Sequence, residues 1–412
     1  MRICQVITRL IIGGAQENTV LTCRGLVERG HHVTLVAGPE TGPEGSLWDA
    51  AGRSGAELVK LDSLRRAVRP ALDWRALRDL AALFRDRRPD VVHTHSSKAG
   101  ILARWAAHRA GVPVIVHTIH GMSFNRTQSA PVQALYRLLE RRAARVSAAL
   151  VTVADAMIEQ SLAAGLAPRE RFVTVRSGME TDVFSPDPAG RAALRRQWGI
   201  APDEVVVGTV ARLFENKGYD EIIAAMPAAV ARAPRMKFVW VGDGKHRTRY
   251  ERRLTQLGLR ERVHLVGLVR PDEIPGYLRG FDLLVHASRW EGLPRAVVQA
   301  LLTEVPAVSF DNDGAPEAVV PEETGILVPY GDTKGLAEGI VHLAEDAELR
   351  QRLGRQGRRR CLAEFDWRRM VEQLEALYVR LASDRAALQG SEATLRKQRG
   401  ERRCRATGPD GG

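Results

Sequence analysis

Ser288-Arg289-Trp290-Glu291-Gly292-Leu293-Pro294 lies between two runs of different periodicity. Before it, Phe281-Asp282-Leu283-Leu284-Val285-His286 reads as a strand, and after it Arg295-Ala296-Val297-Val298-Gln299-Ala300-Leu301-Leu302 reads as a helix. A carboxylate thus stands at a strand-to-helix junction, just ahead of a Gly and a Pro that suit a first helical turn. Backbone N–H groups there lack intrahelical partners, and the helix dipole favours an anion. Glu291 cannot itself hold a phosphate, but it can accept hydrogen bonds from sugar hydroxyls while neighbouring N–H groups hold the phosphate. The combination suits a nucleotide sugar.

The same strand-then-helix rhythm extends in both directions. Upstream, strands are expected at Ile3–Ile7, Val33–Ala37, Glu57–Leu61, Val91–Thr94, Val114–Thr118, Ala149–Val153 and Phe172–Val175, with amphipathic stretches between them. After the linker Phe184-Ser185-Pro186-Asp187-Pro188-Ala189-Gly190 the rhythm restarts, at Val205–Val210, Lys237–Val241, Val263–Val266, Phe281–Val285, Ala307–Phe310 and Ile326–Val328. Two such α/β units predict two Rossmann-like domains, at 1–183 and 184–365, with ligands at the carboxyl ends of strands in the cleft between them. The helical run Trp367–Leu381 closes the folded part as a segment 366–383. Residues 384–412, polar and Arg-rich, are expected to be disordered.

A chain of 412 residues is too long for one core. No apolar run approaches the roughly 20 residues needed to span a bilayer, and the first residues read as a strand, not a signal peptide. Cys4, Cys23, Cys361 and Cys404 show no metal-ligand spacing, which fits a reducing cytoplasm. The net charge of +12 is uneven: residues 1–180 carry 25 Lys/Arg against 16 Asp/Glu, whereas 181–383 carry 29 of each. A basic first half suits an anionic membrane surface, or simply a solvated arginine-rich face. Aromatics at 5% give no stacking platform for nucleic acid.

Other motifs fall at the ends of strands. Gly13-Gly14-Ala15-Gln16 opens the first helix, where bare backbone can approach a ligand, though a plain tight turn reads the same way. His120-Gly121-Met122 follows Val114–Thr118, as a site residue or a satisfied loop histidine. Arg212-Leu213-Phe214-Glu215-Asn216-Lys217-Gly218 puts two cations in one loop, suited to a diphosphate. Gly242-Asp243-Gly244 is a weaker turn of the same kind. Asp311-Asn312-Asp313 reads as a structural turn more than a metal site. His93-Thr94-His95-Ser96-Ser97-Lys98 reads as a polar cleft wall rather than a zinc site. The stretch Gln133–Ala149 carries Arg137, Arg141, Arg142 and Arg145 beside Leu135, Leu138 and Leu139. It is either an interfacial helix or an ordinary amphipathic helix packed on the sheet.

In this order the motifs resemble the family 4 retaining glycosyltransferases of the GT-B fold, over roughly residues 1–383, and among them the bacterial exopolysaccharide, capsule and O-antigen enzymes. The resemblance implies that Gly13 and Gly14 line the donor site, that His120 faces the donor sugar and that Arg212 and Lys217 hold its diphosphate. It implies that Glu291 contacts sugar hydroxyls, with Asp243, Gly292 and Leu293 nearby. Gln299 stands at the second acidic position of the family's E-x7-E motif, which more often holds Glu. Its carbonyl still accepts from a ribose hydroxyl, without the charge. The implied activity needs no metal and no cofactor. It moves a sugar from a nucleoside diphosphate sugar to a glycan or polyprenyl-diphosphate-linked acceptor, in the cytoplasm or peripherally on the inner face of the cytoplasmic membrane. Competing readings are a nucleotide-sugar epimerase, which acts without an acceptor, and a non-catalytic nucleotide-sugar-binding partner, favoured only by Gln299.

Overall fold

The computed structural model describes residues 1–40, 42, 45–124 and 128–406, with side chains to 387. The first sheet holds β1 (Arg2–Arg9), β2 (His32–Gly38), β3 (Glu57–Lys60), β4 (Val91–His95), β5 (Val114–Ile119), β6 (Ala149–Thr152) and β7 (Phe172–Thr174). Their order is β3-β2-β1-β4-β5-β6-β7. The second holds β8 (Val205–Val210), β9 (Met236–Val241), β10 (Val263–Gly267), β11 (Leu283–His286), β12 (Ala307–Asp311) and β13 (Gly325–Pro329), ordered β10-β9-β8-β11-β12-β13. Every strand pairing is parallel. Each of the thirteen expected strands is present, shifted by at most two residues at either end. The central strands are Val-, Ile- and Leu-rich because helices cover both faces of a parallel sheet.

Strand order reverses between β1 and β4 and again between β8 and β11, and a crevice opens outside the carboxyl ends at each reversal. The loop with Gly13 and Gly14 leaves β1, and Ser96 follows β4. The loop Ala211–Gly218 leaves β8, and Ala287–Pro294 leaves β11. The sequence motifs therefore stand at the two switch points.

A helix, Trp367–Ala406, crosses back to the first sheet. Its entry is pinned by paired backbone bonds, Met179 N–H to Phe365 O at 2.7 Å and Trp367 N–H to Met179 O at 3.1 Å. Trp367, Met370, Val371, Leu374, Leu377 and Tyr378 then bury themselves in the core of the first sheet. The expectation of disorder from 384 onward is corrected as far as Ala406, where the backbone stays helical. Few apolar residues meant no packing, but Ala, Leu, Arg, Lys, Glu and Gln are strong helix formers and extend a helix already nucleated by the docked segment. Residues 407–412 of that tail lie outside the described residues.

The Ala130–Arg145 helix packs one side against the domain, with Ala144 in the core and Tyr136 partly buried against it. Its buried positions are Glu140, Ala143 and Ala144. Val132, Leu135 and Leu138 instead face outward, at 40%, 54% and 44% exposure. The inner side is anchored by an ion pair between Glu140 and the fully buried Arg104, on the Ser97–Arg109 helix.

Candidate active site

Glu291 hangs from the loop after β11, and Lys217 from the short 3-10 turn Glu215–Lys217 after β8. The two side chains form an ion pair, both largely shielded from solvent. Gly218, in the left-handed region at φ 75°, makes this approach possible. A Cβ there would meet the carbonyl oxygen of Ala287 at 1.9 Å. His286, the last residue of β11, brings its Nε2 to 3.5 Å from the same Glu291 oxygen. Burial alone pushes the Glu291 carboxyl up, but the charge of Lys217 and the hydrogen bond and charge of His286 outweigh it. The group is held well below the usual carboxylate range.

The second domain meets the first at this loop. The Glu291 N–H donates to Asp313 Oδ2 at 2.7 Å, and Asp313 Oδ1 accepts from Gln160 of the first domain at 2.6 Å. Gly292 presses on the His120 backbone: a Cβ at 292 would come within 2.2 Å of the His120 carbonyl oxygen. Only glycine leaves room for that contact. Arg295, in the first turn of the Arg295–Leu302 helix, reaches across to donate to the Gly178 carbonyl at 3.0 Å and to Glu17 at 2.9 Å. Its chain lies against Gly14, where a Cβ would meet Arg295 Cδ at 2.6 Å. Gly14, His120, Glu291 and Gly292 are thus gathered at one interdomain junction.

The remaining expected residues are placed as follows. Arg212 is exposed just past β8, its guanidinium over the Phe214 ring at 4.7 Å. The Gly242–Gly244 turn abuts the same loop, with Leu213 N–H donating to the Asp243 carbonyl at 3.0 Å. The Asp243 side chain faces Arg247 instead, at 2.9 Å. Leu293 is buried in the apolar core, so only its backbone is available to a ligand. Gln299 is partly exposed one turn beyond Arg295, on the same side of the helix. Gly13 precedes the Gly14–Glu28 helix in extended backbone. Asp313 serves as a hydrogen-bond acceptor joining the domains, consistent with the turn reading.

The reading of His93 and His95 as a cleft wall is corrected. Both are buried, at 0% and 1% exposure, on the central strand β4. Parallel strands covered by helices on both faces turn every side chain inward. Arg295 and His286 were not among the expected site residues. His286 was legible as a polar residue at a strand's carboxyl end. Arg295 carried a subtler signal, a cation in the first turn of a helix, where the dipole disfavours it.

Residues 13–178 match the family model described as Glycosyl transferase 4-like domain, and residues 190–360 match that of Glycosyl transferases group 1. The chain is 26% identical to the UDP-Gal:alpha-D-GlcNAc-diphosphoundecaprenol alpha-1,3-galactosyltransferase of Escherichia coli, over 92% of this chain and 97% of the other. It is 24% identical to the capsular polysaccharide biosynthesis glycosyltransferase CapM of Staphylococcus aureus, over 78% and 85%. In fold it is similar to Anabaena HepE in complex with UDP and glucose, with a TM-score of 0.78 at 21% identity over 92% of this chain and 99% of that one.

Proposed function

The chain belongs to the family 4-like, group 1 glycosyltransferases, and from that premise we propose that it moves a sugar from a uridine diphosphate sugar to a sugar carried on a polyprenyl diphosphate, in cell-surface polysaccharide synthesis. The observation that carries the reading is the Lys217–Glu291 pair at the second switch point, with His120 of the first domain pressed against Gly292. The galactosyltransferase relative, matched along 97% of its length, supports the donor and acceptor classes. Gln299 is the one feature that favours the non-catalytic partner, and the Lys217–Glu291 pair beside His120 weighs against both alternatives.

In this reading Arg212 and Lys217 hold the donor diphosphate, and Glu291 and His120 hold the sugar. Gly13 and Gly14 give bare backbone beside the donor, and Gln299 accepts from the ribose. The bond from the anomeric carbon to the diphosphate breaks, and negative charge gathers on the leaving phosphate, where the two cations stabilise it. The acceptor hydroxyl attacks on the same face and its proton passes to the leaving phosphate oxygen, so the anomeric configuration is retained. Glu291 is ion-paired to Lys217, and no carboxylate is assigned as a nucleophile. The test is a panel of nucleotide sugars in EDTA, with and without a polyprenyl-diphosphate sugar, following release of nucleoside diphosphate. Release from a UDP-sugar that requires acceptor is expected. Conversion of the donor alone, or a product inverted by NMR, overturns the reading.

The acceptor would enter through a cavity of about 390 Å³ in the first domain, lined by Arg9, Arg66, Ser96, Lys98 and Tyr136 among others. Beside it the Ala130–Arg145 helix turns Val132, Leu135 and Leu138 outward, with Arg137, Arg141, Arg142 and Arg145 exposed. Among the described residues no helix is long and apolar enough to cross a membrane. The apolar stripe with its arginines supports peripheral docking on anionic lipid, at about 1 kcal/mol per arginine near the surface. Leu135→Asp with Leu138→Asp is expected to abolish co-sedimentation with phosphatidylglycerol vesicles while leaving turnover of a short-chain, water-soluble acceptor unchanged. Sedimentation equal to that of the parent protein would remove the docking face.

A further inference from the structure

The reaction needs one histidine, yet the first domain gathers four: His93 and His95 on β4, His117 on β5 and His120 just beyond it. Three of them belong to one unbroken file of hydrogen bonds. His120 Nε2 lies 2.9 Å from His95 Nδ1, and His95 Nε2 lies 2.7 Å from Gln5 Oε1. Gln5 Nε2 donates to the Tyr378 hydroxyl at 3.3 Å. That hydroxyl is 2.5 Å from His93 Nδ1, and His93 Nε2 is 2.7 Å from the Thr118 hydroxyl. All members except His120 are buried. The file runs from the interdomain junction, through β4 and β1, to the crossover helix.

Proton positions along it are not independent. A neutral imidazole has one donor and one acceptor, and an amide offers its donor on one arm and its acceptor on the other. Removal from water depresses His93 and His120 to about 3 and His95 well below its ordinary value, the Arg295 charge adding to the effect at the partly exposed His120, so all three rings are neutral. Burial likewise pushes the Tyr378 phenol up, and it keeps its proton. Gln5 Oε1 can only accept, so His95 carries its proton on Nε2 and its lone pair on Nδ1. His120 must then donate from Nε2. In the other direction Tyr378 accepts from Gln5 and therefore donates to His93 Nδ1, and His93 donates from Nε2 to Thr118. Turning the Gln5 amide over would reverse every one of these protons.

We infer that His95, Gln5 and Tyr378 are positioning residues that hold His120 as the Nε2–H tautomer, leaving Nδ1 as a lone-pair acceptor for a hydroxyl of the donor sugar. The inference rests on the reading of His120 as a donor-sugar residue. It gives the crossover helix a second task besides joining the domains: its Tyr378 closes the far side of the amide that sets the tautomer.

Long-range proton–nitrogen NMR correlation on histidine-labelled full-length protein reads the tautomer directly. In the parent protein His95 and His120 are expected as single Nε2–H tautomers. Gln5→Met removes both arms while keeping the volume. It is expected to mix the tautomers of His95 and His120 and to lower kcat/KM for the donor about three- to tenfold, the worth of one ordinary hydrogen bond. Tyr378→Phe is expected to mix them in the same way, and serves if Gln5→Met does not fold. His120 as Nδ1–H in the parent protein, or single unchanged tautomers in both variants, overturns the inference. Unchanged kcat/KM in His120→Ala marks failure of the donor-sugar reading instead, a result the tautomer measurement does not depend on.

Discussion

Lys217→Ala is expected to lower kcat by about 10²–10³, the cost typical of removing one preorganised donor from a charge-stabilising site. Two effects combine. The leaving diphosphate loses a cation whose position the Glu291 ion pair had fixed. Glu291 also loses the charge of Lys217, the largest single influence that opposes its burial, with His286 left as its remaining side-chain partner among the described residues. Its pKa then moves upward from that depressed position. Single-turnover kinetics at saturating donor, alongside thermal unfolding, separate a chemical loss from a folding loss. Glu291→Gln should cost activity as well, but the Lys217→Ala/Glu291→Gln double variant should fall well short of the product of the single losses, because the two side chains act as one unit. A Lys217→Ala enzyme within about threefold of the parent kcat would place the diphosphate elsewhere.

The second large effect is acid lability of the first domain. His93, His95, His117 and His120 all have pKa values depressed by burial, to about 3 where a value is resolved, against an ordinary value of 6.5. Between those limits the unfolded chain binds protons that the folded chain refuses. Stability is therefore full above about pH 6.5 and falls as pH drops toward 3. Each histidine contributes a slope of up to about 1.4 kcal/mol per pH unit, so four together approach about 5 kcal/mol per unit near pH 5.5. Carboxylates contribute mainly at lower pH, which leaves pH 5–6.5 as the diagnostic window. Denaturant titrations across that window should show the unfolding free energy dropping steeply with acid, and His93→Asn should reduce the slope by close to one proton. A flat dependence would mean that these histidines are protonated in the folded state.

Much of the fold, and the strand ends where the candidate site lies, were legible in the residues. All thirteen strands could be placed because β-branched runs and intervening amphipathic stretches encode period and length locally. Their alternation dictated parallel sheets, and a parallel sheet has its ligand edge at the carboxyl ends. That rule singled out Gly13, Gly14, His120, Arg212, Lys217 and Glu291 before any contact was known. The tail was misjudged because low apolar content bears on packing, whereas helix continuation depends on backbone propensity.

What the sequence alone determined was placement along the chain: which carboxylate, which cations and which glycines stand after which strands. What only the tertiary structure decided was their company. Gly292 beneath the His120 carbonyl, Arg295 against Gly14, Gln160 on Asp313 and Tyr378 behind His93 join residues separated by more than 100 positions. Such contacts follow from how two sheets and a crossover helix are docked, a long-range packing outcome that no local period or spacing encodes.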